Sequence, residues 1–275
     1  MRRYGGILVL LTALLVSGCM QAELLVKVKS DGSGTIETSV GMAKTQFAMM
    51  AEMAEMGGEG EDPFSEDTAR EGASQYGEGI TFVSYEKVDD EDMIGMRAVY
   101  AFEDINTVAA SPMASQEDVE AKSMEQVQFS FDPADGGTLT VIMPGDPPEE
   151  AEPNEVEEGS LGMMKGFLAG MKMTMKLEVE PGIASVNTRN VDGNVITLFE
   201  FDFDVIAADD DNLKLFMENS NSGPQLAGVD GVSYVQENPI IVKFGAGGGG
   251  FPILYIGIAA LLIIFVVGVV MAKKK

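Results

Sequence analysis

The stretch MKMTMKLEVEP, residues 171–181, decides the fold. Met171, Met173, Met175, Leu177 and Val179 fall on one side of an extended chain, and Lys172, Lys176, Glu178 and Glu180 fall on the other. A period of two is the mark of a β-strand with one buried and one solvated face. Such strands belong to antiparallel sheets covered on a single side. Working outward, ELLVKVKSDGSGTIETSV (23–40) reads as a hairpin: Leu24, Val26 and Val28 alternate with polar positions, SDGSG turns, and Ile36 and Val40 resume. ITFVSYEKV (80–88) and MRAVYAFED (96–104) make a second pair around the acidic turn Asp89–Asp92. VQFSFDPADGGTLTVIMP (127–144) makes a third, with Val127, Phe129 and Phe131 answered by Leu139, Val141 and Met143. VDGNVITLFEFDFDVI (191–206) is a turn feeding a strand with Phe199, Phe201, Phe203 and Val205 on one face.

Helical spacing is rarer. Met42 to about Met56 carries Met42, Met49, Met53 and Met56 on one stripe, broadened by Phe47 and Met50, with Lys44, Glu52 and Glu55 opposite. Leu161 to about Gly170 pairs Met163, Met164, Phe167 and Leu168, and its glycines make it dependent on tertiary support. DDDNLKLFMEN (209–219) reads as a third short helix or an edge strand. The expected fold is therefore α+β: an antiparallel β-sheet with two or three helices packed on it, plus one C-terminal transmembrane helix. GGEGEDPFSEDTAREG (57–72) and GDPPEEAEPNEVEEG (145–159) are acidic, rich in glycine or proline and poor in apolar residues, as disordered segments are. They are read as acidic loops near 57–79 and 145–160 inside one domain, in preference to a boundary near residue 150.

The termini speak of location. Arg2 and Arg3, the apolar run Ile7–Val16 and the small residues Ser17 and Gly18 have the order of an export signal over 1–18. The signal ends at Cys19, the single cysteine of the chain. Val16-Ser17-Gly18-Cys19 is similar to a bacterial lipobox, in which the cysteine sulfur takes diacylglycerol. A cut elsewhere, such as after Ala22, would discard Cys19. At the far end, residues 251–272 run without a charge for about 33 Å if helical, enough to span a bilayer core. Lys273, Lys274 and Lys275 follow, which orients such a helix with its C-terminus in the cytoplasm. Gly245–Gly250 forms a flexible tether. The expected layout is an extracytoplasmic domain over 19–244, held at the bacterial cytoplasmic membrane by the 251–272 helix and by lipidated Cys19.

Composition excludes several chemistries. With no histidine there is no Ser-His or Cys-His nucleophile and no histidine-ligated metal. No glycine pattern opens a helix as a phosphate cradle does. Asp89–Asp92 and Asp209–Asp211 lack the alternating spacing of a calcium loop. A net charge of −26 opposes phosphate-backbone binding, so no nucleic acid is expected. No enzyme activity, cofactor or metal is expected. The 19 methionines remain. They either pack the core or line a groove for an acyl chain or apolar peptide. The second reading makes Met49, Met50, Met53, Met163, Met164, Phe167, Met171, Met173 and Met175 candidate ligand contacts, with a lipid as ligand. The alternative to a lipid binder is a protein-interaction scaffold or assembly factor that presents its acidic loops to a basic partner.

The lipobox, the strand-rich domain and the C-terminal apolar run together resemble the LppM family of bacterial envelope lipoproteins. The local likeness lies in MKMTMKLEVEPGIASVNTRNVDGNVITLFEF (171–201), through the Pro181-Gly182 turn and the Asp192-Gly193-Asn194 turn into an apolar strand. The opening strand after Cys19 also fits. Thr197-Leu198-Phe199 stands where many relatives carry a tryptophan, and the long acidic insertions are a further departure. The resemblance implies an α+β envelope domain without catalytic residues. Binding of envelope glycolipids, associated with actinobacterial relatives, does not transfer, because the lipid depends on the organism.

Overall fold

The alternation at the start of the chain closes into a hairpin. The computed structural model describes residues 20–48, 51, 62–110, 126–144, 158–219, 226 and 228–245. In it β1 (Met20–Val28) and β2 (Gly34–Ala43) pair antiparallel, from Met20 opposite Met42 to Val28 opposite Gly34. Asp31 sets the turn: its Oδ1 accepts from the Ser33 amide at 3.0 Å and the Ser33 hydroxyl at 2.7 Å. Those bonds hold its carboxyl below the ordinary carboxylate range. Gly32 sits at φ +85°, where a Cβ would be strained.

β3 (Thr81–Asp89) and β4 (Met93–Phe102) form the second hairpin, and β4 adds antiparallel to β2. Three short strands, β5 (Ala109–Ala110), β6 (Val127–Asp132) and β7 (Thr138–Ile142), precede the decisive β8 (Lys172–Val179), and two more, β9 (Ile183–Val186) and β10 (Val191–Asp192), come after it. β11 (Val195–Asp202), β12 (Val232–Tyr234) and β13 (Ile240–Phe244) complete the set. The larger sheet runs β10-β11-β8-β1-β2-β4-β3, with β12 also on β11, and the smaller runs β5-β6-β7-β13-β9. Leu24, Val26 and Val28 of β1, Met175, Leu177 and Val179 of β8, Leu139 and Val141 of β7, and Ile240 and Val242 of β13 all enter one continuous core. At about 1.5–3 kcal/mol for each fully buried aliphatic side chain, that core is the main stabilising term. The outer face of the larger sheet stays polar. There Lys176 meets Glu23 at 2.9 Å, Lys172 meets Glu200 at 2.9 Å, and Lys27 lies 2.7 Å from Glu37 and 3.9 Å from Glu178.

The expected fold is corrected in two respects. A single antiparallel sheet with helices on it is not what forms. Among the described residues there are two sheets with few helices, and the larger is mixed, because β1 and β8 run parallel from Gln21 opposite Lys172 to Val28 opposite Val179. A period of two reports which face a strand buries and is silent on the direction of its neighbour. The C-terminal transmembrane helix also finds no support: among the described residues no helix is long and apolar enough to cross a membrane. Besides the helical residues 44–48, the described helices are α1 (Glu66–Glu71), α2 (Glu158–Leu168), α3 (Phe203–Ile206) and α4 (Asp210–Glu218). The 11 residues of α2 reach about 16 Å, half a hydrocarbon core. Residues 251–272 lie outside the described residues, as does Cys19.

Smaller differences have local causes. Met42 belongs to β2, and helix begins only at residue 44. The stretch read as disordered at 57–72 is structured from residue 62: Phe64 is buried and lies tilted against Phe47, ring centroids 5.8 Å apart, and Ser65 caps α1 by accepting from the Thr68 amide. Tyrosines hold this segment over the sheet. The Tyr85 hydroxyl donates to the Phe64 carbonyl at 2.6 Å, and the Tyr100 hydroxyl donates to the Ala69 carbonyl at 2.8 Å.

Tyr100→Phe leaves the buried Ala69 carbonyl without its donor and should cost about 1–3 kcal/mol in denaturant unfolding. Burial raises the Tyr76 hydroxyl above its ordinary 10.0, assisted by the adjacent Tyr100 and opposed by a hydrogen bond with Thr38. Burial alone raises Tyr100. A raised folded-state value gives stability that is complete below the ordinary value of 10.0 and is lost as pH climbs toward the folded-state value. Unfolding followed by circular dichroism should therefore steepen with pH above 10.0, and the Tyr76→Phe/Tyr100→Phe double variant should lose that part of the slope.

Candidate functional site

Six of the nine expected ligand contacts lie on α2, on β8 or in the turn between them. β8 and β11 pair antiparallel, with Met175 opposite Phe199 and Met173 opposite Phe201. A register shift between Thr197 and Phe199 lets Ile196, Leu198, Phe199 and Phe201 all be buried. Such a bulge bends and twists the strand. Beyond it the chain turns into α3, which Asp202 caps by accepting from the Val205 amide. Asp209 caps α4 by accepting from the amides of Asp211 and Asn212 at 3.0 and 3.1 Å.

These caps bring Phe216 of α4 onto the aromatic row. Phe199 and Phe201 stack at 5.1 Å, Phe216 lies edge-on to Phe201 at 5.8 Å and to Phe203 at 5.3 Å, and Leu213 is fully buried beneath. Aromatic edges and faces at these separations attract through the ring quadrupole as well as by area. α2 covers the same corner. The Lys165 ammonium is 2.5 Å from the Asp210 carboxylate, joining α2 to α4, and the Gly170 amide donates to Asp204 at 2.7 Å. Leu161, Leu168 and Met171 are half-buried against the core. The corner is thus a layer of aromatic and thioether groups roofed by short helices.

The nine expected contacts divide three ways. Met49, Met50 and Met53 lie outside the described residues. Met163 and Phe167 are on α2, and Met164, also on α2, is half-buried. Met171 is half-buried at the corner, whereas Met173 is 8% exposed and Met175 is fully closed in the core. Phe216 was missed as a contact because 209–219 was left open between helix and strand, although Asp209 ahead of an apolar residue at helical spacing is a cap signal. Val205, placed on the apolar face of an extended strand, is 45% exposed because the chain has already turned into α3.

A cleft of about 520 Å³ is lined by Asp62, Ser65, Asp67, Thr68, Arg70 and Glu71. Among the described residues no three or more acidic, histidine or cysteine side chains converge for a metal. The perturbed surface charges have structural causes: hydrogen bonds to Glu37, Asp62 and Glu200 raise Lys27, Lys87 and Lys172, and the Met93 and Asp92 amides lower Asp90.

No family model matches the chain. No curated protein matches it either. Among solved structures it is similar to the NMR structure of the folded domain of LppM from Mycobacterium tuberculosis, at 11% identity and a TM-score of 0.27, over 65% of this chain and 80% of that one.

Met175→Ala should lower unfolding stability by about 2–5 kcal/mol, the cost of a cavity in a closed core. Met171→Ala, at a half-buried rim position, should cost clearly less in the same urea titration.

Proposed function

We propose that this chain is an exported, envelope-associated lipoprotein domain that binds an apolar ligand and carries out no catalysis. The observation that supports it is the helix-roofed corner, where Met171, Leu168 and Phe216 remain half-buried over the buried Phe199–Phe201 stack. A polarizable surface of this kind adapts to an acyl chain without needing a polar partner inside. The roof rests on short helices, so it can yield at lower cost than the two-sheet core. Lipidated Cys19 would bring the domain to the membrane that supplies the ligand; the diacylglycerol on its sulfur carries two acyl chains, enough for stable attachment without help from the ligand site.

A second reading is favoured by a separate observation. Met173 and Met175 are core residues, and acidic residues outnumber basic ones 44 to 18, for a net charge of −26. A closed core with an acidic exterior suits a scaffold that meets basic partners.

The two readings part on lipid content. The full chain, purified in mild detergent, should carry lipid detectable by native mass spectrometry and should take up a fluorescent acyl probe, and Phe216→Asp should reduce uptake. A protein that is consistently empty and indifferent to the probe would reject the first reading and leave the scaffold. Labelled palmitate should enter the wild-type chain and not Cys19→Ser; labelling that persists in the variant would remove the anchor.

A further inference from the structure

β3 ends the larger sheet, and among the described residues β4 is the only strand along it. Its inner face is already closed. Tyr85 donates to the Phe64 carbonyl, the Lys87 ammonium bonds Asp62 at 3.1 Å, and the Arg70 guanidinium lies 4.3 Å over the Phe82 ring. Among the described residues no strand covers its outer edge, and an open edge presents backbone donors and acceptors to any further strand. The register shift between Phe82 and Ser84 interrupts the first part of that edge and leaves Val83 56% exposed. From Ser84 to Asp89 the pairing with β4 is regular, so this half offers a continuous ladder.

The surroundings choose the partner. The polar cleft described above shares Asp62 and Arg70 with the contacts that α1 and its leading turn make to β3, so cleft and edge adjoin. Of the nearby cations, Arg70 pairs with Glu66 at 2.6 Å, Lys87 with Asp62, and Lys44 with Asp89 and the Asp90 carbonyl, while Arg97 of β4 is exposed across from Glu86. Asp67 and Glu71 on α1 and Glu86 on β3 are exposed, and Glu91 and Asp92 follow at the hairpin tip. A second copy of a chain at −26 would set the same acidic rim against itself. A basic segment meets opposite charge along the same line.

We propose that the β3 edge accepts an extended, lysine- or arginine-bearing segment of another protein as an added strand. Backbone hydrogen bonds to Ser84–Asp89 supply the attachment, and basic side chains at alternate positions enter the cleft beside α1. This site lies apart from the apolar corner and stands whether or not that corner holds lipid.

The test uses the full chain and a synthetic peptide of about ten residues alternating lysine and valine, with a glutamate–valine peptide as control. Hydrogen exchange by mass spectrometry should show slowed exchange across Thr81–Asp89 with the lysine peptide and not with the glutamate peptide. Asp67→Asn/Glu71→Gln, at exposed positions, should weaken the lysine peptide about fivefold and flatten its salt dependence. Unchanged exchange at β3 under saturating lysine peptide overturns the proposal. So does equal protection by the glutamate peptide, which would show an edge indifferent to charge. Protection of β3 in peptide-free protein, appearing with a dimer in sedimentation, overturns it by giving the edge to a second copy.

Discussion

The parallel pairing of β1 with β8 is the constraint on which the rest of the structure depends. It joins strands whose facing side chains, Glu23 and Lys176, are 153 positions apart. β1 carries the β2–β4–β3 side of the larger sheet, and β8 carries β11 with β10 and β12. Without the β1–β8 ladder the larger sheet would fall into two ribbons of four strands each. The pairing also aligns Val26 with Leu177 and Val28 with Val179, so both strands bury side chains against the smaller sheet at the same height. Contacts so far apart in sequence are entropically expensive to close. Here a continuous apolar interface offsets that cost.

The acidity of the chain acquires a local meaning from the turns. Asp31, Asp90, Asp104, Asp202 and Asp209 each accept from backbone amides a few residues ahead, closing a turn or capping a helix. A short carboxylate is suited to this because it reaches back to the main chain without a long ordered side chain. Many of the negative charges are thus the side effect of short connections in a strand-rich fold. The exposed carboxylates along α1 and the end of β3 form no such turns, and they are the ones that give one side of the molecule its character.

The apolar residues divide similarly. Methionine at 173 and 175 serves as ordinary core, fixed between a neighbouring strand and the opposite sheet. Methionine and phenylalanine at 171 and 216 lie where short capped helices, in place of a second sheet, cover the strands. The same residue type therefore contributes rigidity in one place and an adaptable surface in another, and the difference comes from what lies above it.

Strand faces and turns were legible in the sequence because they are set over a few residues. The alternation at 171–179, the SDGSG turn and the answering faces of 127–131 and 139–143 all appear in the structure as read. The acidic stretch from residue 62 was not legible, since one buried Phe64 and two tyrosine hydroxyls from distant strands order it against its composition. Nor was the corner around Phe216, because its contacts come from three elements. The local period of the side chains determined by itself which residues turn inward. The tertiary structure alone decided which strands became neighbours, in which direction, and where helices replaced a sheet, because those choices depend on apolar faces far apart in the chain closing one shared core.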